Sequence, residues 1–403
     1  MNKIVSLTSA EWSQMGRPPN GGARGDLASA AAALRETPEL QLMLAYDAFA
    51  MRTLLVKASP WEFDPRAFAE RAWAPHDDLN LTEYLQLRGV PVKVQTTAQA
   101  VELVARERAF HPVLDYLESL EWDGRCRLDR LFPDYFGTND DIYTTNVGRT
   151  FMIGAVARVS EPGVKHDHIP IIEGVQGLGK SKALRLLFDP WFTDEIADLG
   201  SKDAAMQMAG VWGIELSELD AYSRAETARI KAWTSRTVDR FRPPYGVRVI
   251  ESPRACVFVG TTNNDCYFKD ETGNRRFWPV LAGKINLDAL AQDRDQLWAE
   301  AVQLYRGNVA WWLLNPEAIR QAKAEQLARL TDDPWEDLIS GYIANKGDVT
   351  VTELLEKALG IERSRWGQAE QNRIVRCLRA RGWLRVQVRT GDKRSWHYRR
   401  GTQ

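Results

Sequence analysis

The spacing of apolar residues divides the first quarter of the chain into a polar start and a small folded unit. Residues 1–25 contain the cluster RPPNGGARGD, which cannot bury apolar surface, so they predict a loose lead-in. Residues 26–110 predict a small N-terminal α/β unit, because helical and strand-like periods follow one another there. The expected elements are a helix over 27–36, a strand pair within 42–57 and helical segments within 79–121.

Apolar strands alternate with helical segments across residues 111–320. The run FHPVLDYLESLEWDGRCRLDRLF has helical spacing up to a WDG turn and predicts leading helices. Three short apolar runs, HIPIIEG, VWGIEL and ACVFVGTTN, follow with helical segments between them. This order is typical of α/β proteins and predicts a core whose sheet is largely parallel.

The last part of the chain, residues 335–403, has a different order of elements. Two helical segments precede two short strands, WLRVQV and SWHYRR. Helix, helix, strand, strand is the order of a winged helix, so we expect a winged-helix-like domain at this end.

Composition and charge limit the choice of function without deciding it. The 53 Lys and Arg residues nearly balance the 54 Asp and Glu residues, so only the distribution of charge can indicate a polyanionic partner. The four cysteines form no CxxC pair, which argues against a zinc knuckle or a disulfide framework. No run approaches the roughly 20 apolar residues of a membrane span, and the N-terminus lacks the apolar core of a signal peptide. We therefore expect a cytoplasmic protein with no membrane partner.

A phosphate-binding loop is the most specific motif in the sequence. Residues 174–181 read GVQGLGKS, between the strand HIPIIEG and the helical segment KSKALRLLF. Glycines let successive backbone N–H groups curl around phosphate oxygens, and the helix points its positive end at the anion. The motif predicts a site for ATP and Mg²⁺, with the lysine on the β and γ phosphates and the serine hydroxyl on the metal. The residues of this site are Gly174, Gly177, Gly179, Lys180 and Ser181.

Two later strands end in polar residues that suit an ATPase. Glu215 and Glu218 follow one strand and would bind Mg²⁺, with Glu215 as metal ligand beside Ser181, or orient the attacking water. Two surface carboxylates would give the same pattern. Asn263 ends the other strand at the sheet edge where open α/β sheets bind ligands, so it would sense the γ phosphate or simply form a turn.

Two adjacent cations occur in the segment GNRRFWPV. Arg275 or Arg276 would serve as an arginine finger, a group that reaches the ATP of a neighbouring subunit. The other interpretation is a surface pair, or an arginine stacked on Trp278.

The order of these motifs resembles that of superfamily 3 helicase-type ATPases, and more closely the virulence-associated protein E family of phages and mobile islands. The resemblance runs from about Phe110 to Pro279 and is carried by FHPVLDYLESLEWDGRCRLDRL, GVQGLGKS, ELSELD, IKAWTSRTVDRFRPPYG, CVFVGTTNND and GNRRFWPV. It implies an AAA+-like P-loop NTPase core and a homo-oligomeric, hexameric ring. One departure is that two residues separate the glutamates of ELSE, whereas many superfamily 3 members have adjacent acids, which leaves the catalytic base unassigned.

Basic residues indicate two places for DNA. The segment from Ala221 to Arg254 contains eight Lys or Arg residues and three acidic residues, and the resemblance implies that Lys231 to Arg248 form a hairpin that grips DNA. The segment from Gly341 to Gln403 contains fourteen basic and six acidic residues, which favours binding of a polyanion, although an oligomerisation module would also fit. The candidate DNA contacts are Lys231, Arg240, Arg242 and Arg248 in the hairpin, and Arg376 and Arg379 in the recognition helix.

The function that these features favour is a DNA-dependent ATPase, a ring-forming replicative helicase of a phage or mobile element. Its expected partners are single-stranded DNA, origin duplex DNA and further copies of the chain. A nucleotide-driven switch or initiator ATPase that binds DNA without unwinding it is the first alternative, and a P-loop kinase is the second. Primase activity is not supported, because residues 1–110 show no convincing carboxylate triad.

Overall fold

The fold is described from a computed structural model, in which residues 24–196, 202–218, 223–242, 248–268, 274–330, 335–390 and 393–400 are described. The chain divides into two compact units. The larger comprises Met1–Tyr267 with Glu271–Arg329, and the smaller comprises Phe268–Asp270 with Leu330–Gln403. Residues 1–23, where the loose lead-in is expected, lie outside the described part.

The first part of the larger unit is a small α/β layer with its own apolar cluster. Asp26 caps the first helix by accepting a hydrogen bond from the Ser29 N–H at 2.9 Å. The elements are α1 (Leu27–Glu36), β1 (Leu44–Asp47), β2 (Arg52–Leu55), β3 (Arg71–Ala72), α2 (Pro75–Leu87), α3 (Val94–Arg106), β4 (Ala109–Phe110) and α4 (Pro112–Ser119). The strands lie in the order β3-β2-β1-β4, with β1 and β2 antiparallel. The expected first helix and strand pair are confirmed.

A five-stranded sheet forms the centre of the larger unit. Its strands are β5 (Ile169–Glu173), β6 (Phe192–Thr193), β7 (Gly213–Leu216), β10 (Val257–Thr262) and β11 (Phe277–Leu281). They lie in the order β11-β5-β10-β7-β6, and every neighbouring pair is parallel. The strands β5, β7 and β10 are buried along their whole length, which explains why they read as continuous apolar runs. The expected parallel sheet is confirmed.

Helices and short turns surround this sheet. They are a 3₁₀ turn (Leu128–Arg130), a π-helical turn (Leu131–Tyr135), α5 (Ile142–Ser160), α6 (Lys180–Phe188), α7 (Lys202–Gln207), α8 (Arg224–Thr234), a second 3₁₀ turn (Asn274–Arg276), α9 (Leu287–Arg306) and α10 (Pro316–Ala328). Helices α5, α6 and α9 share one apolar core with the sheet. The fully buried rings of Trp212, Trp278 and Trp298 belong to this core.

An antiparallel hairpin lies between helix α8 and strand β10 in the chain. Its strands are β8 (Val238–Phe241) and β9 (Ile250–Pro253), with Phe241 opposite Ile250. The sequence placed the start of this hairpin at Lys231. The structure corrects that boundary, because Lys231 lies inside helix α8 and the hairpin begins at Val238.

The smaller unit has a helical part and a three-stranded sheet. Its elements are α11 (Trp335–Ile343), β12 (Asp348–Val349), α12 (Val351–Glu353), a π-helical turn (Leu354–Ala358), a 3₁₀ turn (Arg363–Arg365), α13 (Gln368–Ala380), β13 (Trp383–Thr390) and β14 (Lys393–Arg400). The sheet order is β12-β14-β13, and β13 pairs with β14 so that Arg389 faces Arg394. The expected order of helices followed by two strands is confirmed.

Candidate active site

The loop between β5 and α6 contains three glycines with positive φ angles. Gly174, Gly177 and Gly179 have φ angles of 147°, 83° and 94°, which residues with a Cβ rarely adopt. A Cβ on Gly174 would also lie 2.8 Å from Leu178 Cδ2, whereas one on Gly177 would meet no atom within 4 Å. The glycines therefore serve the conformation of the loop and leave open space where a ligand can approach.

Lys180 begins helix α6 and folds back over this loop. Its Nζ donates to the carbonyl oxygens of Gly174 at 2.6 Å and Val175 at 3.1 Å, and to Asn263 Oδ1 at 2.9 Å. Burial lowers the pKa of the Lys180 amine, and the Glu215 carboxylate acts in the opposite direction. All three N–H donors of the amine point at acceptors that phosphate oxygens could replace.

A buried carboxylate lies next to the loop. Glu215 is 2% exposed, and its Oε1 accepts hydrogen bonds from Ser181 Oγ at 2.7 Å and Thr261 Oγ1 at 2.6 Å. Glu215 pairs with Val259 in the sheet, so Thr261, two residues further along β10, shares its face. Among the described residues, Glu215 Oε2 has no hydrogen-bond partner. A buried carboxylate oxygen with a free lone pair beside a serine hydroxyl fits a hard cation such as Mg²⁺.

The remaining polar candidates of this sheet edge differ in their surroundings. Asn263 directly follows β10 and is exposed except for its contact with Lys180. Glu218 lies two residues beyond β7, is exposed, and has a φ angle of 51°. A left-handed backbone is uncommon for a residue with a side chain and often occurs at functional positions. Lys180 thus contacts Asn263, and Ser181, the next residue of the helix, contacts Glu215.

The two adjacent arginines lie at the other edge of the sheet. They form the turn before β11, and β11 is parallel to β5, so the turn lies at the amino ends of the strands while the phosphate loop lies at the carboxyl ends. Arg275 is exposed, but Arg276 is bound to its own chain, with Nε 3.1 Å from Asp167 Oδ2 and 2.8 Å from Ser235 Oγ. Trp278 stacks on His168 at 4.3 Å instead of on an arginine. Arg276 therefore does not suit a finger, which leaves Arg275 as the candidate.

The candidate DNA contacts of the hairpin fall into two groups. Arg240, Arg242 and Arg248 are exposed, and Arg240 pairs with Glu251 across the hairpin. Lys231 is 8% exposed and donates to Asn274 Oδ1 at 2.9 Å. A DNA contact by Lys231 stays a prediction, and in this structure its amine is buried and donates to another part of the protein.

The smaller unit contains the other two candidates. Arg379 is exposed near the end of helix α13. Arg376 is on the same helix, but its side chain lies outside the described part. Their role in DNA binding stays a prediction.

One buried group behind the loop did not emerge from the sequence. Glu173, the last residue of β5, accepts hydrogen bonds from Tyr267 Oη at 2.7 Å and from Arg329 Nε and Nη2, each at 2.8 Å. The only signal was an acidic residue at the end of the apolar run HIPIIEG. Thr261 was missed as well, because a threonine within a strand carries no motif.

Comparisons with known proteins give one family and several solved structures. No curated protein matches the sequence. The fold is similar to the apo structure of the NrS-1 C-terminal region (305–718), with 13% sequence identity over 89% of this chain and 96% of that chain and a TM-score of 0.44. It is also similar to the A form apo structure of the NrS-1 C-terminal region, with 13% identity over the same shares and a TM-score of 0.47. Among the described helices, none is both long and apolar enough to cross a bilayer.

The family comparison agrees with the resemblance found in the motifs. The sequence matches the virulence-associated protein E-like domain over residues 117–331, which is more than half of the chain. This range contains the phosphate loop, Glu215, Asn263 and both adjacent arginines. The chain therefore belongs to the virulence-associated protein E-like family.

Proposed function

We propose that this protein is a P-loop ATPase of AAA+-like, superfamily 3 type that acts as a ring-forming DNA helicase in the replication of a phage or mobile element. The observation that carries the proposal is the contact set of Lys180, Ser181, Glu215 and Asn263 around a glycine-rich loop. Four polar side chains from the neighbouring strands β7 and β10 and from one helix N-terminus lie at the sheet edge where α/β proteins bind ligands.

The residues of the loop and its neighbours would each have a separate role in binding ATP. Backbone N–H groups of the loop and the start of helix α6 would hold the phosphates, with Lys180 turning from the loop carbonyls to the β and γ phosphates. Ser181 and Glu215 would hold Mg²⁺, which when bound neutralises negative charge on the phosphates. Asn263, in contact with Lys180, would bind the γ phosphate.

The two glutamates would then have separate roles. Glu215 is buried and already bonded to Ser181, so it suits the metal. Glu218 is exposed at the end of the same strand and held in a left-handed conformation, so it suits the positioning of the attacking water.

The position of Arg275 supports an oligomer. A parallel strand of five residues spans roughly 16 Å, and this length separates the amino edge from the carboxyl edge. Arg275 therefore lies at the opposite edge of the sheet from the loop of its own chain and would reach the ATP of a neighbouring subunit in a hexameric ring. The exposed arginines of the hairpin would line the DNA path, and the basic smaller unit, as a winged-helix-like domain, would contact duplex DNA.

ATP hydrolysis by the full chain, with and without single-stranded DNA, tests this proposal. We expect DNA-stimulated turnover that Glu215→Gln and Glu218→Gln both reduce. Glu215→Gln should also raise the Mg²⁺ concentration at which turnover is half-maximal, while Glu218→Gln should leave that concentration unchanged. Absence of hydrolysis under all conditions would refute the ATPase. Hydrolysis without displacement of a labelled strand would indicate the nucleotide-driven switch instead of the helicase.

A further inference from the structure

The 3₁₀ turn that carries Arg275 is joined to helix α8 on both sides of that residue. Before it, Asn274 Oδ1 accepts a hydrogen bond from Lys231 Nζ at 2.9 Å, and both side chains are buried. After it, Arg276 Nε donates to Ser235 Oγ, the residue that ends helix α8, at 2.8 Å. Arg275 itself is exposed. The helix therefore fixes the backbone on either side of the candidate finger.

The same helix is fixed to the hairpin by a buried arginine. Arg254 directly follows β9, and its guanidinium donates to both oxygens of Asp239 in β8, at 2.5 Å and 3.0 Å. It also donates to the backbone oxygen of Trp233 in helix α8. Arg254 and Asp239 are 3% and 4% exposed. A desolvated bidentate pair with an added backbone bond holds its partners in one geometry, so the hairpin and helix α8 are one rigid element.

The hydrogen bond of Lys231 is a directional link between this rigid element and the turn. Moving the acceptor away from a buried ammonium group raises the free energy of the protein, because water cannot replace the acceptor. A shift of the hairpin that moves helix α8 will therefore move Asn274 as well, and with it the backbone of Arg275.

We propose that Lys231 is a positioning residue through which DNA bound at the hairpin sets the place of Arg275, so that DNA stimulates ATP hydrolysis. This proposal rests on the proposed function, since it requires the hairpin to contact DNA and Arg275 to act on ATP. It gives a role to a lysine whose charge the sequence assigned to DNA contact.

Matched substitutions can separate this role from simple support of the fold. Lys231→Met combined with Asn274→Leu replaces both partners of this hydrogen bond by apolar groups of similar shape, which keeps the buried volume and leaves neither of the two without the other. Asn274→Asp is the control, because it retains an acceptor oxygen for Lys231. The full chain is assayed for basal kcat, KM for ATP, Kd for single-stranded DNA and stimulation by that DNA, with thermal unfolding as the check of folding.

In the double variant, stimulation by DNA should be lost while basal kcat, KM and Kd stay within about two-fold of wild type. Asn274→Asp should keep the stimulation. Retained stimulation in the double variant would overturn the proposal. So would a loss of DNA affinity as large as that of Arg240→Ala, because Lys231 would then act as a DNA contact. If the wild-type protein hydrolyses ATP without any response to DNA, the proposed role of Lys231 is refuted but the ATPase assignment is not. If it hydrolyses no ATP, the proposed function itself is refuted.

Discussion

Replacing Glu173 by glutamine should destabilise the larger unit far more than a surface substitution would. The carboxylate is 2% exposed and accepts three hydrogen bonds, from Tyr267 at 2.7 Å and from two nitrogens of Arg329 at 2.8 Å each. Burial alone would lower the pKa of the Arg329 guanidinium, but its interactions with Glu173, and after them the charge of Glu325, outweigh burial and raise it. Glutamine keeps the shape of the side chain but removes its negative charge, and its N–H₂ group would face the N–H and O–H donors of Arg329 and Tyr267.

The size of the effect follows from the type of contact. Removing one partner of a buried ion pair costs about 3–5 kcal/mol, and because the guanidinium keeps some access to water we expect about 3 kcal/mol for Glu173→Gln. Arg329→Met should cost a similar amount, and the two changes together should cost less than their sum by more than about 1 kcal/mol. Urea denaturation followed by circular dichroism measures the three free energies of unfolding. Single changes within about 0.5 kcal/mol of wild type, or strict additivity, would refute the reasoning.

Three further outcomes are expected. Lys180→Ala should reduce ATP turnover by about 100-fold or more with little change in thermal stability, whereas Lys182→Ala, which removes an exposed cation from the same helix, should not. Arg275→Ala should abolish turnover but regain part of it when mixed with Lys180→Ala subunits; failure of the mixture at every ratio would exclude a finger acting between subunits. Burial lowers the pKa of the His166 imidazole from 6.5 to about 3. Between these two pH values the imidazole binds a proton only in the unfolded chain, so the free energy of unfolding should fall as the pH falls, by roughly 2 kcal/mol from pH 6.5 to 5. In His166→Phe the free energy of unfolding, measured by urea denaturation at each pH, should fall less steeply towards acid pH. The control His76→Gln, at an exposed position, should keep the slope of wild type.

The features that the sequence predicted well are local ones. The strands β5, β7 and β10 are mainly apolar runs, so their burial could be predicted from composition, and Glu215 is the polar residue inside β7. The phosphate loop depends on glycines and a lysine within eight consecutive residues, and Lys180 indeed lies over the carbonyl of Gly174. In each case the residues that decide the structure are neighbours in the chain.

The contacts that the sequence did not predict concern charges whose partners are distant in the chain. Lys231 and Arg276 both lie in basic segments, and nothing in those segments shows that Lys231 donates a hydrogen bond to Asn274, 43 positions further along the chain. Glu173 and Arg329 are separated by 156 positions, so no spacing rule could pair them. Whether a cation is exposed or buried is decided by tertiary packing, and a single sequence gives only its local surroundings.

The ribbon formed by β13 and β14 places basic side chains directly opposite one another, as Arg389 and Arg394 do. Like charges placed directly opposite one another repel by a few tenths of a kcal/mol or more, and Asp348 pairs with Arg399 of the same ribbon. Salt screens both kinds of exposed interaction, so the balance of charge in the ribbon depends on ionic strength. A polyanion that binds the folded ribbon adds to its stability by mass action, so that folding of this segment and occupation by a phosphate backbone are thermodynamically linked.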